Sequence, residues 1–138
     1  MNINELRYGP GIRFSLRLEC GECVGLTGPS GGGKTLLLRA LADLDPSNGD
    51  LSLNQAKKES VEPAQWRKQV GYLSSESAWW ATRVGEHFNL ENNALLSTMG
   101  FENQVLNWDV QRLSSGERQR LAFIRLLCQK PKVLLLDE

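Results

Sequence analysis

Two short stretches of this 138-residue sequence hold residues that could do chemistry together. Residues 28–35 read GPSGGGKT and fit the pattern G-x-x-x-x-G-K-S/T. The closing VLLLDE is an apolar run that ends in two carboxylates, Asp137 and Glu138. A lysine, a hydroxyl and two carboxylates are the side chains that bind phosphate groups and divalent cations.

The glycines of the first stretch predict a loop that wraps an anion. Glycine takes backbone conformations that side chains forbid, so successive N–H groups can turn towards one phosphate. We predict a short buried strand at 23–27 before the loop and a buried, leucine-rich helix at 34–42 after it. The positive end of that helix adds to the attraction. A merely flexible loop is the alternative. The predicted phosphate-binding residues are Gly28, Pro29, Ser30, Gly31, Gly32, Gly33, Lys34 and Thr35.

We predict a separate role for each polar side chain of the two stretches. Lys34 would reach the β- and γ-phosphates of a nucleotide, and Thr35 would supply a hydroxyl ligand to Mg²⁺. Asp137, at the carboxyl end of a predicted strand, would hold the same Mg²⁺ directly or through water. Glu138 would be the catalytic general base that polarises the attacking water. Taken alone, an apolar run ending in Asp-Glu also fits a purely structural role.

The rest of the sequence predicts one α/β domain with a mostly parallel sheet. Residues 12–19 alternate apolar and polar side chains, which is typical of an antiparallel strand with one solvated face. Residues 45–50, DPSNGD, have the composition of a turn. Further predicted elements are strands at 51–53 and 70–73, a helix at 63–69, short helices and loops over about 82–107, an amphipathic helix at 116–128 and a final buried strand, VLLLDE.

Composition limits the class of protein. The chain is 41% hydrophobic, enough for one compact domain over 1–138. Sixteen basic residues balance sixteen acidic ones, so the sequence predicts no nucleic-acid partner. The apolar runs are far shorter than the roughly 20 residues that cross a bilayer, and no secretory signal is visible. With three cysteines in all, a reducing, cytoplasmic setting is expected.

Cys20 and Cys23 form one C-x-x-C, which fits half a metal site, a redox pair, or simply a turn residue and a strand residue.

A third motif gives the resemblance to a known family. Residues 113–127, LSSGERQRLAFIRLL, start a helix at Ser114 and Gly116, which N-capping by a serine explains in isolation. In this order GPSGGGKT, LSSGERQR and KVLLLDE resemble the Walker A, signature and Walker B motifs of ATP-binding-cassette (ABC) ATPases. The resemblance covers essentially the whole chain. Within the family, the chain is similar to short bacterial transporter ATPases, including the iron-export type.

The resemblance implies a fold, cofactors and a partner chain. The fold would be a P-loop NTPase with a RecA-like core, an N-terminal antiparallel β subdomain and a small helical signature subdomain at about 82–130. ATP and Mg²⁺ would be the cofactors. In a head-to-tail homodimer, Ser114 and Gly116 of one subunit would close over the γ-phosphate held by the other. Leu36 stands where the family often has a second hydroxyl residue that contacts the α-phosphate.

The resemblance also implies a membrane partner. Residues 70–88 look like the family segment that links the nucleotide site to an integral membrane permease, which would hold the chain on the cytoplasmic face of the inner membrane. Trp79 and Trp80 lie in this segment. Adjacent tryptophans cannot both face inward from a strand, and an exposed aromatic often anchors a partner. We expect a docking surface for the permease, with core packing as the alternative.

The sequence departs from the family at several positions. Ser75 stands where the family has a glutamine that contacts Mg²⁺ and the attacking water. Tyr8 is the candidate for the aromatic that stacks on adenine, with a plain strand residue as the alternative. The chain ends after Walker B, so the C-terminal part of the core would be missing and the sheet would lack a central strand. We expect a fragment that is inactive by itself.

The leading hypothesis is an ATP-hydrolysing subunit that drives a membrane permease. The first alternative is a nucleotide-binding module without turnover. The second is a soluble ABC protein of translation or repair, for which a basic strip or a second cassette would be expected.

Overall fold

The computed structural model describes residues 1–88 and 94–137. They form two compact units, Met1–Tyr72 with Lys132–Asp137, and Leu73–Pro131. Each unit contains its own cluster of buried hydrophobic residues. None of the helices in the described ranges combines the length and the apolar surface that a membrane span requires.

The first unit contains a four-stranded antiparallel sheet. Its strands are β1 (Asn2–Tyr8), β2 (Ile12–Arg17), β3 (Ser47–Leu53) and β4 (Ala56–Lys57), in the spatial order β2-β1-β3-β4. Along β2, partly buried and exposed side chains alternate, as the sequence predicts for a strand with one solvated face. The predicted N-terminal antiparallel subdomain is confirmed.

This unit also contains two α-helices, a short 3₁₀ helix and two further strands. They are α1 (Lys34–Leu41), the 3₁₀ helix Lys58–Ser60, α2 (Pro63–Gln69), β5 (Val70–Leu73) and β6 (Val133–Leu136). β5 and β6 form a two-stranded sheet. The helix predicted at 63–69 and the strand predicted at 70–73 are confirmed.

Helix α1 is amphipathic, although its sequence is apolar nearly all round. It buries Leu37, Ala40 and Leu41, which the spacing of three and four residues brings onto one face. The indole of Trp66, fully buried on α2, donates a hydrogen bond of 2.9 Å to the carbonyl of Leu41. That carbonyl lies at the C-terminal end of α1, where the helix offers it no partner. One aromatic residue therefore fills the core and satisfies a helix end.

The strand predicted at 23–27 does not form. Val24 and Leu26 are 50% and 37% exposed, and the segment joins neither of the two sheets. A strand persists only where a neighbour pairs its N–H and C=O groups. Within 1–88 and 94–137 no strand pairs with this segment, so its apolar composition does not decide its conformation.

Two other expectations for the sheets are wrong. The turn predicted at 45–50 gives way to β3 from Ser47 onwards, because Asn48 and Asp50 pair with residues of β1. The closing strand is only half buried: Leu135 is buried, whereas Leu134 and Leu136 are exposed. The strand pairs whose register the structure gives are antiparallel, not parallel.

The second unit is helical in its described residues. It contains α3 (Ala94–Thr98), α4 (Ser115–Cys128) and three short 3₁₀ helices, Val84–His87, Asn103–Asn107 and Val110–Arg112. Helix α4 packs Leu121 and Ile124 into a core that also includes Val84 and Val105. The predicted succession of short helices and one long amphipathic helix is confirmed.

A tight contact fixes the pairing of β1 with β3. The register of β1 shifts between Asn4 and Arg7, and Glu5 at this irregularity has a φ of 49°. Gly49 of β3 lies against it with a φ of 125°. A Cβ added to Gly49 would lie 2.5 Å from the carbonyl oxygen of Glu5 and 2.8 Å from the Cα of Leu6. Only glycine fits there.

Gly49→Ala should lower the free energy of unfolding by about 3 kcal/mol, because the new methyl group adds a backbone clash to an unfavourable φ. Gly11→Ala is the control: its φ is also positive, at 90°, but no atom lies within 4 Å of the added Cβ. It should cost about 1 kcal/mol from strain alone. Urea unfolding measures both, and equal losses would show that the clash at β1 is unimportant.

Candidate functional site

The glycine loop ends in a left-handed residue that starts α1. Gly33 is the N-cap of the helix, with φ 82° and ψ 13°. A Cβ on Gly33 would lie 2.9 Å from Cδ1 of Ile12 on β2. The positive φ requires glycine here, whereas the contact with Ile12 involves the tip of a side chain that can move aside.

The N-terminus of α1 has no side-chain cap. Its N-cap, Gly33, makes no side-chain hydrogen bond to the backbone N–H groups of the first turn, and that turn contains no acidic residue. The first N–H groups of a helix lack helical partners, and together they carry a partial positive charge. The end of α1 that adjoins residues 28–35 is therefore suited to an anion.

Lys34 turns back into its own loop. Its Nζ donates hydrogen bonds to the carbonyls of Gly28 at 3.0 Å and Pro29 at 3.1 Å. The ammonium group is thus held over the loop by neutral acceptors. An anion that binds at the loop can replace these carbonyls with charged oxygens, which accept stronger hydrogen bonds.

Asp137 is brought to the first turn of α1. Its Oδ1 accepts a hydrogen bond of 3.1 Å from the hydroxyl of Thr35, which is 102 positions earlier in the chain. Its Oδ2 accepts one of 2.9 Å from the hydroxyl of Tyr72 on β5. The residue is only 8% exposed, so each carboxylate oxygen has a partner in a nearly dry place.

The hydroxyl of Tyr72 is strongly held in its neutral form. Burial raises the pKa of Tyr72 to about 12, and the hydrogen bond to the Asp137 carboxylate adds to the shift. At neutral pH Tyr72 is therefore protonated and donates a hydrogen bond to Asp137.

The donor set of Thr35 and Asp137 fits Mg²⁺. Both supply oxygen atoms, which Mg²⁺ prefers, and the carboxylate brings a full negative charge. No lysine or arginine in the described ranges forms an ion pair with Asp137. A buried carboxylate that has hydroxyl partners but no cation is a suitable ligand for a metal ion.

Two other residues of the predicted nucleotide site lie near the loop. Leu36 is 40% exposed, and its Cδ1 would be 3.2 Å from a Cβ on Gly9. Tyr8 is a core residue of β1, only 7% exposed, and its ring edge lies beside Gly33. A ring so deeply buried offers little surface to a base, and its role as the adenine platform stays a prediction.

The signature segment starts α4 with a capping box. The hydroxyl of Ser114 accepts from the backbone N–H of Glu117 at 3.3 Å. In return, Oε2 of Glu117 accepts from the Ser114 backbone N–H at 2.8 Å and from its hydroxyl at 2.7 Å. The hydrogen bonds from the Ser114 hydroxyl and N–H lower the pKa of Glu117. Gly116 lies in the first turn of α4.

The two adjacent tryptophans face different surroundings in the second unit. Trp79 packs against the core, whereas Trp80 is 70% exposed. Nε2 of His87 accepts from the backbone N–H groups of Trp80 and Ala81, each at 3.0 Å. The guanidinium of Arg125 on α4 lies 4.9 Å and 4.8 Å from the ring centroids of Trp79 and Trp80.

Not every site residue anticipated from the sequence enters these contacts. Glu138, the predicted general base, lies outside the described residues. Cys20 and Cys23 are free and exposed, and the described ranges contain no group of three or more His, Cys, Asp or Glu side chains able to hold a metal.

Two residues at these sites escape sequence reasoning. Tyr72 is one, and its signal is a phenol within an apolar strand, where a buried hydroxyl needs a partner. Arg125 is the other, on the partly buried face of α4. For both residues the hydrogen-bond partner is distant in sequence, Asp137 for Tyr72 and the carbonyl of Ala78 for Arg125, so the sequence does not identify it.

A glycine loop that opens an uncapped helix, beside a hydroxyl and a buried carboxylate, defines the class of P-loop nucleotide-binding domains. The family model described as ABC transporter matches residues 12–138, so the chain belongs to the ABC transporter family. The resemblance seen in the three sequence motifs is confirmed. ABC ATPases as a family bind and hydrolyse ATP.

Individual relatives agree with this assignment. The chain is 34% identical to the probable iron export ATP-binding protein FetA of Escherichia coli, over 92% of this chain and 61% of the relative. It is 33% identical to the thiamine import ATP-binding protein ThiQ of Shigella sonnei, over 92% of this chain and 60% of the relative. The chain thus spans about three fifths of these curated relatives.

A solved structure confirms the fold. It is a dimeric ATP-binding cassette in a post-hydrolysis state, bound to ADP and Pi. It matches with a TM-score of 0.76 and 21% identity, over 99% of this chain and 72% of the other. The predicted fold class, a P-loop ATPase domain with an antiparallel β subdomain, is confirmed.

Glu117→Gln should destabilise the chain above about pH 4.5 and have less effect in acid. The folded-state pKa of Glu117 lies below its ordinary value of 4.5, so its stabilising contribution is present above that value. This contribution is lost as the pH falls through the lowered pKa, because the carboxyl becomes neutral. Urea unfolding from pH 6 to pH 3 measures the difference between wild type and variant. Glu76→Gln controls for the loss of one charge, and a difference that does not change with pH would contradict the assignment.

Proposed function

We propose that this chain is the ATP-binding subunit of an ABC transporter, which uses ATP binding and hydrolysis in a head-to-tail dimer to drive a membrane permease. The observation that carries the nucleotide part is the hydrogen bond between Thr35 and Asp137, because it joins the glycine loop to the predicted metal-binding carboxylate. Family membership supports the transport part.

The glycine loop would bind the phosphates of ATP. The uncapped N–H groups at the start of α1 supply donors, and Lys34 supplies a charge that can leave the carbonyls of Gly28 and Pro29 for phosphate oxygens. Thr35 and Asp137 would hold Mg²⁺, which when bound neutralises charge on the phosphates. Glu138 would take the proton from the attacking water.

A second subunit would complete the site. Ser114 and Gly116 start α4, and the positive end of that helix suits the γ-phosphate of a nucleotide bound to the partner. The dimeric state of the solved relative supports a dimer. The Ser114 hydroxyl would have to exchange Glu117 for phosphate, since Glu117 now accepts its hydrogen bond.

Trp80 is the proposed centre of the permease-docking surface. Its ring is exposed, while Trp79 beside it is packed against the core. A large aromatic anchored by its neighbours and open to solvent is the type of residue that dominates interfaces. Docking would hold the chain at the cytoplasmic face of the inner membrane.

The proposal does not include a direction of transport, because one relative is named for export and another for import.

Lys34→Ala should raise the dissociation constant for ATP with Mg²⁺ by roughly 10- to 100-fold, the effect of removing charge-assisted hydrogen bonds. Titration calorimetry measures it, and Lys57→Ala removes a charge from the exposed strand β4 of the same unit as a control. Unchanged binding by Lys34→Ala would contradict the proposal.

The alternative function is a nucleotide-binding module without turnover. Tight binding of ATP by the unmodified chain, without release of phosphate, would support that alternative.

Trp80→Ala should lower the recovery of a polytopic membrane protein with the full-length chain about tenfold or more, because an exposed anchor residue is removed from the interface. The experiment purifies tagged full-length protein from detergent-solubilised membranes and quantifies the permease by mass spectrometry. Leu44→Ala removes another exposed apolar side chain, in the first unit, and serves as the matched control. Equal recovery for both variants would remove Trp80 from the docking surface.

A further inference from the structure

Tyr72 has a contact that the proposed function does not use. It is the second hydroxyl on Asp137, and its hydrogen bond of 2.9 Å is shorter than the 3.1 Å bond from Thr35. We propose that Tyr72 is a positioning residue for Mg²⁺, whose hydroxyl fixes the orientation of the Asp137 carboxylate. The inference rests on the proposed role of Asp137 as a metal ligand.

The geometry gives each oxygen of Asp137 a different partner. A carboxylate can rotate about its last side-chain bond, and this torsion is broad in energy. Oδ1 is directed to Thr35 and Oδ2 to Tyr72, so the two hydrogen bonds together select one rotation. Without the phenol hydroxyl, a single bond to Thr35 would leave the carboxylate free to turn.

The tyrosine is itself rigidly held. It lies on β5, and its ring packs against the hydrophobic core of the first unit. A ligand is well oriented when the groups that support it are fixed by packing.

The two hydroxyls differ in what they can do for a metal. Thr35 is part of the glycine loop and is itself a candidate ligand, so its oxygen has to serve both the metal and Asp137. Tyr72 is neutral and remote from the loop in sequence, and its role is limited to holding the carboxylate. Its loss should therefore change the metal requirement and leave the contacts of the phosphates with the loop intact.

Tyr72→Phe tests this inference, because it keeps the ring and removes only the hydroxyl. The concentration of Mg²⁺ that gives half-maximal binding of a fluorescent ATP analogue should rise roughly 5- to 20-fold, and binding of the analogue in EDTA should stay unchanged. Mn²⁺ in place of Mg²⁺ gives a second readout, because its electron paramagnetic resonance signal reports bound metal directly. Ser60→Ala, which removes an exposed hydroxyl elsewhere in the unit, is the control.

Asp137→Asn separates this inference from the proposed function. If Asp137→Asn keeps the wild-type dependence on Mg²⁺, the proposed metal site itself is wrong. If Asp137→Asn loses that dependence while Tyr72→Phe behaves as wild type, only the role of Tyr72 is overturned. Equal weakening of binding with Mg²⁺ and in EDTA by Tyr72→Phe would also overturn it, since that result describes a general structural role. Urea unfolding of Tyr72→Phe confirms that the variant is folded.

Discussion

The site of the first unit depends on the burial of one carboxylate. Asp137 is almost fully removed from water, and an ionised group in such surroundings is costly unless its oxygens have partners. Thr35 and Tyr72 provide them from positions 102 and 65 residues away in the chain. The first turn of α1, the strand β5 and the end of β6 must therefore meet at one point. The fold of this unit and the chemistry proposed for it share this constraint.

Helices α1 and α4 differ in how their N-termini are capped. Helix α4 is closed by its own residues, since Ser114 and Glu117 satisfy each other's hydrogen bonds. The N-cap of helix α1 is Gly33, which has no side chain to donate or accept a hydrogen bond. A glycine N-cap is less stabilising than a serine N-cap by roughly a few tenths of a kcal/mol. The open end of α1 therefore costs the chain little, and it lies where the glycine motif predicts an anion.

Local patterns predicted the parts of the fold that local contacts decide. The alternation along β2, the apolar face of α4 and the glycine loop before α1 all follow from neighbours within a few residues. The failures concern segments whose state depends on distant partners. Val24 and Leu26 look like a buried strand but have no ladder, and residues 47–50 look like a turn but pair with β1. Of the site, Thr35 and Asp137 follow from motifs, whereas Tyr72 belongs to no motif, because only the folded chain brings its hydroxyl to the carboxylate.

The second unit ties the tryptophan pair to the signature helix. Gln119 on α4 donates to the carbonyl of Ser74 at 3.1 Å, and Arg125 donates to the carbonyl of Ala78 at 2.9 Å. These bonds hold the segment before Trp79 and Trp80 against α4, and the Arg125 guanidinium lies near both rings. Burial lowers the pKa of Arg125, so part of the cost of its desolvation has to be offset by these contacts. A partner that moves Trp80 would therefore act on Arg125 and on α4, which begins at the residues proposed to meet ATP. Within this unit, α4 therefore connects the proposed docking residue Trp80, through Arg125, to the signature residues at its own N-terminus.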